Sequence, residues 1–407
     1  MRHSHFFFRS HIRCFGGEYM KHMLKRVLPL LLSVLLICGL SPSALAAEVN
    51  RPSELPSLEL DCRSAILIDA KSGAVLYEKN ADEALPPASV TKIMTLLLVM
   101  EALDEGRITL DQEVPVSAHA ASMGGSQVYL KEGESMSVEE MVKCVVIASA
   151  NDCAVALAEL VAGSEESFVA AMNARAAELG MVNTQFENTN GLDDTAQHHV
   201  TSARDIAIMS RELISHPKIL QYSGIWMDTI RDGSFGLTNT NRLVRFYPGC
   251  TGLKTGSTAR AKFCISATAE RDGLSLICVI MAAETRDSRN AAATKLLDYG
   301  FANYAGFESE AEEFEVGVVG GVAPSCSVKF ERFLATIPKG KKQEVEREIV
   351  MPDTLEAPIE KQSEVGCVIY RLNGEEIGRV PIVSSESVEK IGFKGLFYRM
   401  LLRFLLV

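Results

Sequence analysis

Ser89-Val90-Thr91-Lys92 sets a hydroxyl and an amine three residues apart, directly after Pro86-Pro87-Ala88. At that spacing on a helix the two side chains share a face, so Ser89 Oγ and Lys92 Nζ can meet. A serine hydroxyl needs a base to become a nucleophile. Lysine serves as that base only when burial or a neighbouring cation lowers its pKa. A helix start adds backbone N–H groups able to stabilise an oxyanion. The pattern recurs at Ser215/Lys218 and Ser387/Lys390. The second has Pro217 inside and the third leads into an amphipathic tail, so only Ser89/Lys92 lies in an apolar frame that can hold it rigid.

Two further groups bear on the same chemistry. Ser149-Ala150-Asn151 falls near a break at Ala150-Asn151-Asp152 between the helical patterns Val138–Ser149 and Cys153–Val161, where polar side chains can project into a cleft. Ser149 could relay a proton and Asn151 could bind a substrate amide; the plainer use of both is a helix cap. Lys254-Thr255-Gly256 precedes the strand-like run Phe263–Ala269. It offers positive charge, a hydroxyl for a carboxylate, and a glycine that lets a substrate backbone approach closely. Lys71-Ser72-Gly73 is similar in type but reads as a hairpin turn.

The elements that must hold these groups follow from periodicity. Ser64–Asp69 and Ala74–Glu78 read as a β-hairpin, Ile93–Leu103 as a buried helix, Phe263–Ala269 and Leu274–Ala282 as a second hairpin, and Asn290–Tyr304 as a final helix. This order predicts an α/β fold: an antiparallel sheet flanked by helices, its edge strands drawn from both ends of the segment. From about Gly306 the texture changes to short strand-like runs, Val316–Val322, Ser327–Phe330, Cys367–Leu372 and Ile377–Ile382, with Asn373-Gly374 as a hairpin turn. That stretch predicts a small all-β domain.

The order S-x-x-K, S-x-N, K-T-G resembles the signature of penicillin-binding proteins and class A β-lactamases. The flanking sequence is similar to that of low-molecular-weight D-alanyl-D-alanine carboxypeptidases, at Ala88–Thr95, Ser149–Glu159, Phe186–Leu192, His199–Asp205 and Gly252–Thr258. The resemblance runs from about Ser64 to the C-terminus and implies the β-lactamase-like fold of that family. With the signal read below, the expected layout is an N-terminal extension and signal (1–46), a catalytic domain (47–305), a β-rich domain (306–387) and an anchoring helix (388–407).

By the same resemblance, Ser89 is deprotonated by neutral Lys92, attacks the penultimate D-alanine carbonyl of a peptidoglycan stem peptide and expels the terminal D-alanine through an acyl-enzyme. β-Lactam antibiotics would acylate the same serine. Ser149 joins Ser89 and Lys92 as a catalytic residue. Asn151, Lys254, Thr255, Gly256 and Ser257 bind substrate, with the N–H groups of Ser89 and Ser257 as oxyanion hole. Arg289 is a further candidate for the carboxylate, against the plainer reading of a solvated helix-start arginine. Two departures stand out: Ala150 where relatives commonly have Gly or Asp, and Ser257 where they often have His. No metal or other cofactor is implied. His198-His199 has no H-E-x-x-H arrangement and reads as a loop pair, with a structural His199 implied by the family resemblance. A serine β-lactamase would need a deacylating carboxylate, and no E-x-x-L-N segment follows Asn151. A non-catalytic penicillin-binding sensor or scaffold would not need Ser89, Lys92 and Lys254 together.

The 407 residues are 47% hydrophobic and 23% charged, enough for two or three domains, and the net charge of −11 speaks against a nucleic-acid partner. Both ends are basic. Lys21, Lys25 and Arg26 precede the apolar run Val27–Ile37 and then Ala44-Leu45-Ala46, the order of a secretory signal cleaved after Ala46. The run is shorter than the ~20 residues of a spanning helix. Bulky Ile37 before Cys38 argues against lipidation, and a second basic n-region places the translation start at Met20 or Met23. Export to the outer face of a bacterial cytoplasmic membrane follows. Phe393, Leu396, Phe397, Met400, Leu401, Phe404 and Leu405 form a helical stripe flanked by Lys394, Arg399 and Arg403, read as a helix lying on an anionic membrane surface. The eight cysteines left after signal removal are scattered, lack C-x-x-C, and read as buried free thiols of a chain from an oxygen-poor setting.

Overall fold

The computed structural model describes residues 58–193 and 196–405, except for the Arg403 side chain. The expected signal, its cleavage at Ala46 and the start codon lie outside the described residues. β1 (Ser64–Asp69) and β2 (Val75–Lys79) form the first hairpin. Its turn is Lys71-Ser72-Gly73, pinned by the Asp69 carboxylate, which accepts from Ser72 Oγ at 2.7 Å and Lys71 N at 3.1 Å. β3 (Cys250–Thr258), β4 (Lys262–Arg271) and β5 (Leu274–Ala283) complete a five-stranded antiparallel sheet ordered β2-β1-β5-β4-β3. Its edges are the N-terminal hairpin and the strand carrying Lys254-Thr255-Gly256.

The central strands read as unbroken apolar runs because both faces are covered. Ile66, Ile68, Ile277, Val279 and Met281 point into one core, while Ala65, Leu67, Leu276, Cys278 and Ile280 point into the other. The first core is closed by α1 (Lys92–Asp104), α2 (Val138–Lys143), α3 (Asn151–Ala162), α4 (Glu165–Glu178) and α5 (Ala203–Ile214). The second is closed by α6 (Arg286–Asn303) through Ala293, Leu296 and Leu297. α1 is buried all round, and its sequence is accordingly apolar all round.

Three boundaries differ from expectation. α6 starts at Arg286, not Asn290, because Thr285 and Ser288 form a reciprocal cap and the polar first turn carries no apolar period. The break between α2 and α3 falls at Ser149-Ala150; Asn151 and Asp152 are already helical, and the Asp152 carboxylate accepts from Val128 N and Leu130 N. Lys254-Thr255-Gly256 lies within a strand of its own, β3, paired with β4 at Lys254↔Ser266 and Gly256↔Cys264. A polar motif on an edge strand shows no alternation, so the sequence hid it.

Beyond α6, β6 (Tyr304–Ser309) pairs with β9 (Phe333–Pro338). A six-stranded sheet follows, made of β7 (Glu312–Val319), β8 (Ser325–Phe330), β10 (Val345–Val350), β11 (Thr354–Glu356), β12 (Glu364–Leu372) and β13 (Glu375–Ser384), in the order β10-β12-β13-β8-β7-β11. Val316, Val328, Phe330, Val368, Tyr370 and Ile382 fill its core. Asn373 and Gly374, at φ +54° and +80°, make the turn between β12 and β13, as a two-residue hairpin loop requires. Thr336 Oγ1 of β9 donates to Asp69 at 2.6 Å, tying this region to the first hairpin. α7 (Phe393–Leu405) ends the described chain with its apolar residues open: Phe393 is 84% and Phe404 90% exposed. All eight described cysteines are unpaired.

Candidate active site

Ser89 sits not on α1 itself but on a tight 3₁₀ turn, Ala88–Thr91, that leads into it. The turn is held from outside. Ala88 has a left-handed backbone, φ +50°, and Gly191 packs so closely that a Cβ there would lie 1.9 Å from the Ala88 carbonyl oxygen. Thr91 Oγ1 donates to Ala88 O at 2.8 Å and meets His199 Nε2 at 2.7 Å. His199 Nδ1 accepts from Glu187 N at 3.0 Å, so the ring proton is on Nε2 and points at Thr91. Burial pushes the His199 pKa down to about 4, keeping the ring neutral. His199 thus braces the Ser89 turn through Thr91.

Lys92 is fully buried, and its Nζ makes three contacts: Ser89 Oγ at 3.0 Å, Asn151 Oδ1 at 2.6 Å and Asn190 O at 2.8 Å. Burial, then the Lys254 cation, hold its pKa well below the ordinary lysine value, with Asp152 pulling the other way. Ser149 reaches the same place because α2 widens into a π-type turn, Cys144–Ala148, and Ser149 itself is left-handed at φ +65°. Such turns recur at functional sites, where local strain aims a side chain. Lys254, also buried, donates to Ser149 Oγ at 2.8 Å and to Thr255 O at 2.9 Å. Burial and then Arg289 bring its pKa to about 7.

Gly256 lets β3 lie close against the Ser89 turn: a Cβ there would meet Pro87 O and Ser89 N at 2.8 Å. Thr255 Oγ1 donates to Thr240 Oγ1 at 2.8 Å, and Ser257 is exposed one step further on. These groups line a cleft of about 580 Å³ with Ser89, Ser126, Ser149, Arg242, Arg286 and Arg289. Arg289 is 3% exposed, not the solvated arginine of the plainer reading. Its guanidinium bonds Asn290 Oδ1 at 2.9 Å and faces the cleft from the first turn of α6. Asn151 departs from expectation: its Oδ1 faces Lys92 and its Nδ2 donates to Gly124 O at 2.7 Å, so its amide is satisfied within the protein.

The three motifs therefore converge from a 3₁₀ turn, a π-turned helix junction and an edge strand onto one cleft. A family model described as D-alanyl-D-alanine carboxypeptidase matches residues 48–285. The chain belongs to that family. A second model, the C-terminal domain of penicillin-binding protein 5, matches residues 330–390. The chain is 42% identical to the D-alanyl-D-alanine carboxypeptidase DacF of Bacillus subtilis, over 91% of this chain and 96% of that one. It is 36% identical to DacC of Escherichia coli, covering 87% and 90%. Among solved structures it resembles penicillin-binding protein 5 from Haemophilus influenzae, with a TM-score of 0.75 and 31% identity over 83% of this chain and all of that one. It also resembles penicillin-binding protein D2 from Listeria monocytogenes in its ampicillin-bound form, with a TM-score of 0.56 and 33% identity over 60% of this chain and all of that one. The fold expected of the family is the one observed.

Sequence reasoning missed Asn190, whose contribution is a backbone carbonyl and leaves no mark on residue type. It also missed Thr240 and Arg242, which sit on a loop, and Arg286, the first residue of α6, all away from the motifs in sequence. The only available signal was Asn239-Thr240-Asn241, a polar run whose amides brace the loop: Asn241 Nδ2 donates to Gly252 O at 2.8 Å.

Proposed function

We infer that this chain is a serine-type D-alanyl-D-alanine carboxypeptidase that removes the terminal D-alanine from peptidoglycan stem peptides and is acylated by β-lactams. One observation carries the residue roles. Two of the three Lys92 contacts, Asn151 Oδ1 and Asn190 O, are to pure acceptors. A neutral amine has two N–H bonds and one lone pair. Both N–H bonds are taken by those oxygens, which leaves the lone pair aimed at Ser89 Oγ. Lys92 is then the base that takes the Ser89 proton. Asn151 acts as the group that aims it.

Ser89 Oγ attacks the carbonyl of the penultimate D-alanine, with the N–H groups of Ser89 and Ser257 receiving the oxyanion. Ser149, bonded to Lys254, carries a proton to the departing amine. Lys254, Thr255 and Arg289 hold the terminal carboxylate, and Gly256 lets the peptide lie along the free edge of β3. Water then hydrolyses the Ser89 ester. The basic, apolar C-terminal helix rests on an anionic membrane surface and the enzyme works outside the cytoplasm, a reading supported by the exposure of α7 and by the cell-wall substrate of the reaction.

Incubation of the purified protein with a D-Ala-D-Ala pentapeptide and, separately, with penicillin tests this. D-alanine release and a penicilloyl adduct on the Ser89 peptide are expected. Ser89→Ala should lower kcat by roughly 10⁴ or more, as loss of a nucleophile does in serine hydrolases. Penicillin turnover faster than D-alanine release would point instead to a β-lactamase. Acylation without release would point to a sensor.

A further inference from the structure

Arg242 and Arg286 line the same cleft as Ser89 and Arg289, yet the reaction above uses neither. Both are exposed, and among the described residues neither side chain has a hydrogen-bond or ion-pair partner. Arg289 feels both: its guanidinium is lowered to about 10 by burial, then by Arg286, with Arg242 adding to it. Among the described residues no acidic side chain lines the cleft. Asp287 lies close enough to act on Arg289 but, among the described residues, forms no ion pair with any of the three. Like charges gathered in a cleft without a counter-charge favour an anionic occupant.

A single terminal carboxylate is already matched by Lys254, Thr255 and Arg289. Two guanidinium groups remain, both close enough to act on Arg289, the group assigned above to the carboxylate of the leaving residue. The cleft, about 580 Å³, falls within the roughly 300–1,000 Å³ of small-ligand pockets, so it has room for a residue larger than alanine. Trp226 and Phe246, in edge contact at 6.2 Å, supply an apolar wall for a longer side chain. We propose that Arg242 and Arg286 form a second anion subsite, which selects substrates whose leaving D-residue carries a side-chain carboxylate. This rests on the carboxypeptidase reading. The bond changes are those of that reaction: the Ser89 Oγ–C bond forms, the C–N bond breaks, the leaving amine takes a proton, and water cleaves the ester.

The test compares two tripeptides that differ only in the last residue, ending D-Ala-D-Ala or D-Ala-D-Glu, at low ionic strength. The ratio of their kcat/KM values is read in the wild type, in Arg242→Ala/Arg286→Ala, and in the single charge reversal Arg242→Glu at an exposed position. Removing both guanidinium groups should lower the D-Glu to D-Ala ratio by up to about fivefold for each group, the range of exposed charge pairs. Arg242→Glu should lower it as well, and Arg242→Lys should restore part of it. An unchanged ratio in the folded variants, or no release of D-Glu by a wild type that releases D-Ala, overturns the subsite. A wild type that neither releases D-Ala nor takes up penicillin overturns the parent reading instead.

Discussion

Lysine chemistry sets the behaviour of this site at the scale of single residues. Lys92 is buried and held well below its ordinary pKa, and Lys254 is brought to about 7 by burial and Arg289. In the proposed reaction the two have opposite requirements. Lys92 must be neutral to accept a proton, whereas Lys254 must be charged to hold a carboxylate. As pH rises through about 7, Lys254 loses its proton and its attraction for the substrate carboxylate. The alkaline limb of the kcat/KM profile, which reports the free enzyme, should therefore fall near pH 7. Arg289→Ala removes the cation that depresses Lys254, so that limb should move to higher pH even as kcat/KM falls overall. A limb that stays in place in the variant would show that Lys254 is not the titrating group.

Among the elements, β3 and the Ser89 turn must touch for the proposed site to exist. Gly256→Ala would drive a methyl group into Pro87 O and Ser89 N, both backbone atoms with no room to yield. Acylation by a fluorescent penicillin should slow on the order of 100-fold, the cost of an ångström-scale misplacement, with a loss of about 1–3 kcal/mol in chemical denaturation. The central elements were legible in the sequence because burial writes a pattern: unbroken apolar runs for β5 and α1, a hairpin for β1 and β2, Asn373-Gly374 for β12 and β13. Other elements wrote none. β10, Val-Glu-Arg-Glu-Ile-Val, is an edge strand with most of its residues exposed, so nothing forces alternation. The same holds for the site. Ser89, Lys92, Ser149 and Lys254 were visible as residue types at fixed spacings. The left-handed backbone at Ser149, the Asn190 carbonyl and the presence of Arg242 and Arg286 at the cleft are products of three-dimensional closure.

For the whole molecule, the question is where the acidic body and its basic, apolar tail reside. α7 displays Phe393, Phe397, Met400 and Phe404 to solvent, an arrangement that costs free energy in water and is relieved at a lipid interface. A chain ending at Glu389 should keep its turnover of soluble pentapeptide but fail to co-sediment with anionic vesicles, while the chain through Val407 sediments with them. Equal sedimentation of both would place the membrane contact elsewhere.

The unpaired cysteines give the fold a built-in set of reporters. Cys144 and Cys153 lie where α2 meets α3, Cys264 and Cys278 in the five-stranded sheet, and Cys326 in the six-stranded one, all five fully enclosed. A maleimide can reach each only when its own neighbourhood opens, so the order in which these sulfurs become labelled as denaturant rises would chart which layer loosens first. No residue need be engineered to follow it.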